Sequence, residues 1–353
     1  MTDRISFANR VAVVTGGGRG LGRAYAKELA GRGAAVVVHD YGGDTEGVGS
    51  DPRPAHAVAD EIVAAGGRAL ACTTDASTEA GGRAAVDMAV EEFGRLDAVV
   101  ANAGIIHGDR FDEWTTDRFE AQLRHHVLAA FHVVTPAFGV MKAAGYGRLV
   151  FVSSAAGVFG QPRVSGYATS KTAMIGLMNV AAIDGAEFGI KANAILPMAD
   201  TRMAPALMGD AGQTPEAREF LERLRVDQVA PVVAYLASEQ CTATHRILSA
   251  FRGRVAAVKI GVNKGWCSPT GSLTAEDVAA HLGEINDTEG MLVPGSIFDE
   301  MADVEAQLST VGGGPSSADG EIAVQPIEFL SENAISSASE TNILRGLDTE
   351  FRR

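Results

Sequence analysis

The sequence predicts an α/β protein built on a doubly wound parallel sheet, and three observations carry that expectation. Short apolar runs alternate with helix-length stretches through the first 200 residues. The runs are apolar at nearly every position, as strands covered on both faces require. A glycine-rich turn separates the first run from the first helical stretch. Strand–helix alternation of this kind favours parallel strands joined by right-handed crossovers.

Taken in order, the predicted strands are residues 10–14, 34–39, 68–72, 96–101, 148–153 and 191–196, each rich in Val, Ile, Leu or Ala. Residues 21–32, 58–65, 80–93, 116–143 and 167–188 lie between them and have helical length and spacing. Residues 41–56 form a Gly- and Pro-rich insert, longer than most strand-to-helix connections and therefore functional or mobile. Residues 246–262 resume an apolar alternation fit for one or two further strands. Thr274 is expected to cap a helix over 275–285, with Asp277 reaching back to its first amides. From 309 to 320 the composition turns to Gly, Ser and Pro, a linker signal. Residues 321–353 carry only scattered apolar groups and read as a loose tail or an oligomer-contacting arm. The expected organisation is a single domain over 5–305, with its core at 5–240, followed by a C-terminal extension at 306–353.

With 353 residues, 46% hydrophobic and 21% charged, the chain has the composition of an ordinary soluble globular protein. Its net charge of -14, with no basic stripe to offset it, argues against nucleic acid or an anionic membrane as a partner. Cys72, Cys241 and Cys267 are odd in number and share no metal-ligand spacing. That argues against a disulfide framework or a metal centre, and makes a reducing cytoplasm the expected compartment. The opening Met-Thr-Asp-Arg-Ile-Ser-Phe lacks an apolar signal core, and no later run reads as long enough to span a bilayer.

Two motifs carry chemistry. After the first strand comes Gly16-Gly17-Gly18-Arg19-Gly20-Leu21-Gly22. Glycines there permit a tight turn and close backbone approach to a pyrophosphate, which then sits at a helix N-terminus. The second strand ends at Asp40, where a carboxylate can accept ribose hydroxyls and repel a 2′-phosphate, pointing to NAD in preference to NADP. Arg19 disagrees, since a guanidinium in this loop can pair with such a phosphate. The second motif is Tyr167-Ala-Thr-Ser-Lys171, with Ser154 preceding it. Residues four apart on a helix share a face, so the ammonium is expected beside the phenol, lowering its pKa. A phenol so activated serves as general acid or base near neutral pH. Ser154 is then placed to hold the oxygen on which the proton arrives or departs.

These pieces together resemble the short-chain dehydrogenase/reductase family, in the glycine spacing of its shorter branch. Asn102-Ala103-Gly104 matches the family's segment after the fourth strand, Asp75 its adenine-contacting acid, and Ser154, Tyr167 and Lys171 its catalytic trio. The likeness covers about residues 5–240 and implies a Rossmann-like fold that holds a nicotinamide dinucleotide. Pro197 and Thr201 would then stand beside the nicotinamide, although Met198 replaces the glycine usual after the proline. A narrower likeness is carried by Gly22-Arg-Ala-Tyr-Ala, Gly42-Gly43-Asp44, Gly47-Val48-Gly49, Ala199-x-x-Arg202-Met203 and Val229-Ala230-Pro231. These look like the (3R)-hydroxyacyl-CoA dehydrogenase unit of multifunctional enzymes type 2, also known as 17β-hydroxysteroid dehydrogenase type 4. The family's usual helix asparagine is replaced by His126, with His125 beside it leaving two registers open.

The resemblance implies reversible oxidation of a secondary alcohol to a ketone on a bulky hydrophobic substrate, a 3-hydroxyacyl-CoA or a hydroxysteroid. Arg53, Arg110, Arg163 and Arg202 are local candidates for the phosphates of a CoA carrier. Terpene alcohols or small ketones are the alternative within the family. A non-catalytic dinucleotide sensor is the alternative outside it. The family's habit implies a homodimer or homotetramer packed on helices 116–143 and 167–188.

Overall fold

The computed structural model describes residues 4–203 and 214–311, and its packing divides the chain into two compact units at the Lys259–Ile260 boundary. In the first unit all six predicted strands form: β1 Val11–Thr15, β2 Ala35–His39, β3 Arg68–Cys72, β4 Ala98–Ala101, β5 Gly147–Val152 and β6 Ile190–Pro197. Two more follow, β7 Arg246–Phe251 and β8 Arg254–Val258. The sheet order is β3-β2-β1-β4-β5-β6-β7-β8. Every neighbouring pair is parallel except the β7–β8 hairpin at one edge, which is antiparallel. The chain works outward from β1 to β3 and then crosses back to lay β4 against β1. That reversal opens a crevice at the carboxyl ends of β1 and β4, the place where ligands sit in open α/β sheets.

The strands' continuous apolar character is explained by helices on both faces. On one face lie α1 Gly20–Gly31, α2 Arg53–Ala64 and, later in the chain, the helix Ala230–Ala237. They bury Tyr25, Leu29, Val58, Ile62 and Val233 against Ala12, Val14, Val36 and Val38. On the other face lie α3 Glu79–Phe93 and a long run made of α4 Thr116–Leu123 and α5 Ala129–Ala144. After the short α6 Ala155–Phe159 comes α7 Ser165–Asp184, which completes this second layer. Val86, Val133, Met141, Met174 and Met178 pack there against Val11, Val13, Leu149 and Phe151. Alternate residues of one strand thus enter opposite cores, as the two-residue period demands. A further helix, α8 Pro215–Glu222, precedes Ala230–Ala237, which becomes α9.

Several expectations are corrected. The helix expected to start at residue 58 starts at Arg53, because Pro54 falls in its first turn, where a missing N–H costs nothing. The insert is correspondingly shorter. The run expected as one helix over 116–143 reaches Ala144 but passes through a π-helical turn at Arg124–Leu128 between α4 and α5. By length and composition this run of 29 residues does reach what a membrane span requires, contrary to the sequence reading. It is a core helix of this unit, packed against α3 and α7. Cys72 and Cys241 are buried free thiols and Cys267 is free and half-buried.

In the second unit, Val262 and Leu292 form an antiparallel bridge. Thr274 caps as expected: its hydroxyl accepts from Asp277 N at 3.1 Å while the Asp277 carboxylate accepts from Thr274 N at 3.0 Å. The helix beyond breaks at His281 into α10 Ala275–Ala280 and α11 Leu282–Ile285. A longer helix, α12, runs Ile297–Val311, so the linker expected from residue 309 begins inside it. The remainder of that linker and the 321–353 tail lie outside the described residues.

Candidate active site

The crevice is floored by two loops stitched together. The Thr15 hydroxyl accepts from the amides of Asn102 and Ala103, both at 2.9 Å. The Asn102 amide returns a bond to Thr15 O at 2.9 Å. Gly16 adopts φ 62°, a left-handed conformation that favours glycine. A Cβ at Gly22 would lie 2.0 Å from the Gly16 carbonyl oxygen and 2.7 Å from Asn102 Nδ2. The glycine loop is therefore a bare-backbone cradle opening onto the N-terminus of α1, and it fits a dinucleotide diphosphate. Gly16, Arg19, Gly20, Leu21, Gly22, Asp40, Asp75, Asn102, Ala103, Gly104, Pro197 and Thr201 all line one cleft of about 270 Å³, together with Ser154, Tyr167 and Lys171. The sequence reading thus named residues that the fold brings together. His39, Ser77 and Ile105 line the cleft too; nothing in their sequence context marks them.

Asp40 sits as expected at the end of β2, but its carboxylate already has work within the chain. One oxygen accepts from Gly18 N and the other from Gly42 N, each at 2.8 Å. Each oxygen keeps a further lone pair for a ribose hydroxyl. Asp75 likewise accepts from Ser77 N at 2.9 Å.

At the far end of the cleft, Ser154 caps α6, its hydroxyl accepting from Ala156 N at 3.2 Å and sharing a hydrogen bond with the Tyr167 phenol. Tyr167 and Lys171 are one turn apart on α7, with Lys171 Nζ 5.5 Å from the ring centre. Lys171 donates to Val152 O at 2.8 Å. The proximity is as expected; its electrostatic consequence is not. Burial holds the Tyr167 phenol above its ordinary pKa, opposed only by the Ser154 bond. Burial also pulls Lys171 down to about 7. A lysine so desolvated is partly neutral near pH 7, and at Tyr167 no charge effect of Lys171 offsets the burial of the phenol.

That shift has a stability consequence in the dinucleotide-free protein. The folded pKa lies below the unfolded value of about 10.4, so between the two the unfolded chain binds the extra proton. Stability therefore rises with pH from about 7 upward, by about 1.4 kcal/mol per unit. Urea unfolding of wild type and Lys171→Met at about pH 7 and about pH 9 should show wild type gaining roughly 2–3 kcal/mol on the variant. A constant difference between them would show that the ammonium is not desolvated.

The two histidines of the π turn point to different places. His126 is buried, its ring edge-on to Tyr167 with centres 5.4 Å apart. His125 instead faces the insert: a Cβ at Gly47 would lie 3.0 Å from His125 Nε2. His126 Nε2 stands 2.7 Å from Ile105 O and 3.2 Å from Ile105 N, so the backbone of Ile105 can accept from it or donate to it according to the tautomer. Nδ1 is buried without a hydrogen-bond partner among the described residues. Gly104 makes room for the ring, since a Cβ there would lie 2.0 Å from His126 Cε1. Burial, reinforced by Lys171, keeps the imidazole well below its ordinary pKa, and therefore neutral.

A dinucleotide cradle facing a serine–tyrosine–lysine trio defines a nicotinamide-dependent oxidoreductase. Residues 10–210 match the family model described as short chain dehydrogenase. The chain belongs to the short-chain dehydrogenase/reductase family, which acts on CH–OH groups and binds a nicotinamide dinucleotide in its Rossmann-like fold. A Mycobacterium tuberculosis protein named as a short-chain type dehydrogenase/reductase is 38% identical over 289 residues, 81% of this chain and 97% of its own. Peroxisomal multifunctional enzyme A of Dictyostelium discoideum is 30% identical over 341 residues, 96% of this chain and 73% of its own. Among solved structures, full-length peroxisomal multifunctional enzyme type 2 of Drosophila melanogaster superposes with a TM-score of 0.72 at 28% identity. That match covers 88% of this chain and 51% of the other, so this chain spans about half that protein's length. The likeness to the multifunctional-enzyme group drawn from sequence is thereby borne out.

Proposed function

We propose that the protein is an NAD-dependent dehydrogenase interconverting a bulky hydrophobic secondary alcohol, a 3-hydroxyacyl-CoA or a hydroxysteroid, with its ketone. The observation that carries the reaction is the joining of Ser154, Tyr167 and Lys171 to the glycine cradle in one cleft. When bound, the dinucleotide supplies the hydride-accepting ring. Ser154 Oγ orients the substrate oxygen. Tyr167 takes the hydroxyl proton as the phenolate, its own phenolic proton having passed to the partly neutral Lys171 amine, which also holds the nicotinamide ribose. A neutral His126 acts as a fixed hydrogen-bonding group behind Tyr167, in place of the asparagine usual in the family's proton path. Asp40 favours NAD over NADP. The substrate wall includes Ile105, Met198, Ala199 and Met203, which suits an apolar chain or ring. Exposed Leu128, Phe131, Val180 and Ile183 on the two long helices support assembly as a homo-oligomer, and three free thiols suit a reducing cytoplasm.

The reading is tested by following NADH absorbance with a panel of 3-hydroxyacyl-CoA thioesters and hydroxysteroids. Turnover on one of these classes is expected. Dinucleotide binding without turnover on any of them would replace the dehydrogenase reading with that of a sensor.

A further inference from the structure

The stretch between β4 and the next helical turn is neither helix nor strand from Asn102 to Arg110, yet it walls the catalytic end of the cleft. Ile105 lines the cleft, while Ile106 packs with Ala156, Val164 and Tyr167 in a small core. Backbone without a ladder of its own is held by whatever meets its amides and carbonyls. On one side Ile106 N donates to Thr45 O of the insert at 2.8 Å.

On the other side stands Gln122 of α4, which is fully buried. A long amide side chain is costly to bury unless both its ends are met. In the amide orientation that meets both, its nitrogen donates to Ile105 O at 3.2 Å and its oxygen accepts from His107 N at 2.9 Å. The side chain thus bridges the segment as a neighbouring strand would. Its stem has a second contact. A Cβ at Gly166 would lie 3.0 Å from Gln122 Cγ and 2.8 Å from Trp114 Cζ3, and Gly166 immediately precedes Tyr167. Trp114 Nε1 donates to Asp109 O at 3.0 Å, farther along the same segment. The head of Gln122 therefore holds the backbone that carries the Ile105 wall, and its stem packs on the backbone that carries the phenol.

We propose that Gln122 is a positioning residue for the reaction, fixing the separation between the Ile105 wall and Tyr167 so that a substrate oxygen meets Ser154 and Tyr167 in register. The role in turnover rests on the dehydrogenase reading; the bridge between the segment and α4 does not. Misplacement of reacting groups costs rate more than affinity, so the signature is a fall in kcat without a matching loss of dinucleotide binding.

Gln122→Met keeps the length of the side chain and removes both hydrogen bonds. In the full chain its kcat should fall by about 10- to 100-fold, with NADH affinity within about twofold. Amide exchange, followed by mass spectrometry, should quicken at residues 105–107. Gln122→Glu supplies the rescue, because a protonated carboxyl donates and accepts as the amide does, whereas an ionised one only accepts. Burial favours the protonated form, so this variant should recover most of the lost kcat at about pH 6 and lose it again toward about pH 9. His107 and Asp109 on the segment, Arg118 and His126 on the helical run, and Tyr167 and Lys171 on α7 are common to both proteins. The ratio to wild type therefore reports residue 122.

A kcat for Gln122→Met within about twofold of wild type overturns the positioning role. So does a Gln122→Glu variant no more active than Gln122→Met at about pH 6. If Gln122→Met does not fold, the fall of the Gln122→Glu ratio with pH decides alone, a rising ratio overturning the role. Exchange needs no substrate. Faster exchange at 105–107 in a protein that turns over none of the panel would leave the bridge standing and remove the dehydrogenase reading.

Discussion

Tyr167→Phe is expected to cut turnover by about 100- to 10,000-fold while leaving NADH affinity within about twofold. The substitution removes only the phenolic oxygen. Its bond to Ser154 is lost, but the ring's edge-on contact with His126 and its place in the small cluster with Ile106, Ala156 and Val164 remain. Among the described residues, Tyr167 is the titratable group recorded in hydrogen-bonding contact with Ser154. Steady-state kcat and a fluorescence titration with NADH separate the two effects. Near-normal turnover in the variant would remove Tyr167 as the proton carrier.

The second large effect is steric and lies at the other end of the cleft. Gly22→Ala should destabilise the fold by about 3 kcal/mol or more and weaken dinucleotide binding by about 100-fold or more. The added methyl would sit 2.0 Å from the Gly16 carbonyl oxygen; the methyl is fixed directly on the α1 backbone and the oxygen is itself backbone, so neither can swing aside. Relief requires α1 to withdraw from β1, which carries the amides of the cradle away from the diphosphate. Gly31→Ala, at the end of the same helix, provides the contrast: a Cβ there meets nothing within 4 Å. It should be neutral or stabilising by a few tenths of a kcal/mol, up to about 1 kcal/mol. Thermal melts and NADH titrations of both variants check the pair. Equal behaviour would show that the close approach at Gly22 is relieved at no cost.

The reason for this asymmetry between the two glycines is not visible in the sequence, and the same holds elsewhere. Strands were legible because burial on both faces leaves a continuous apolar signature, as in Val36-Val37-Val38. The glycine loop and the Ser154–Tyr167–Lys171 spacing were legible because each is local in the chain. Features that depend on distant partners were not. Whether Lys171 charges its neighbour depends on how deeply both are buried, and spacing on a helix does not report depth. The engagement of Asp40 with Gly18 and Gly42 required the loop to be folded first. Arg202 was noticed as one of several cations, but its meeting with Arg19 at the Gly43 carbonyl joins residues 183 positions apart in sequence. The π turn leaves a small mark at most, since its two consecutive histidines fit a regular helix equally well by composition.

That turn has a further meaning for how such a chain can change. A π turn holds one residue more than the α-helical turn it replaces, so α4 and α5 keep their packing faces across Arg124–Leu128 despite the surplus. Loss of one residue from this stretch would leave a straight, more regular helix with the same neighbours. It would also fail to bring an imidazole against Gly104. Helical regularity and delivery of His126 are thus alternatives at this place in the chain, and a length variant here would change the chemistry behind Tyr167 while the fold around it carried on undisturbed.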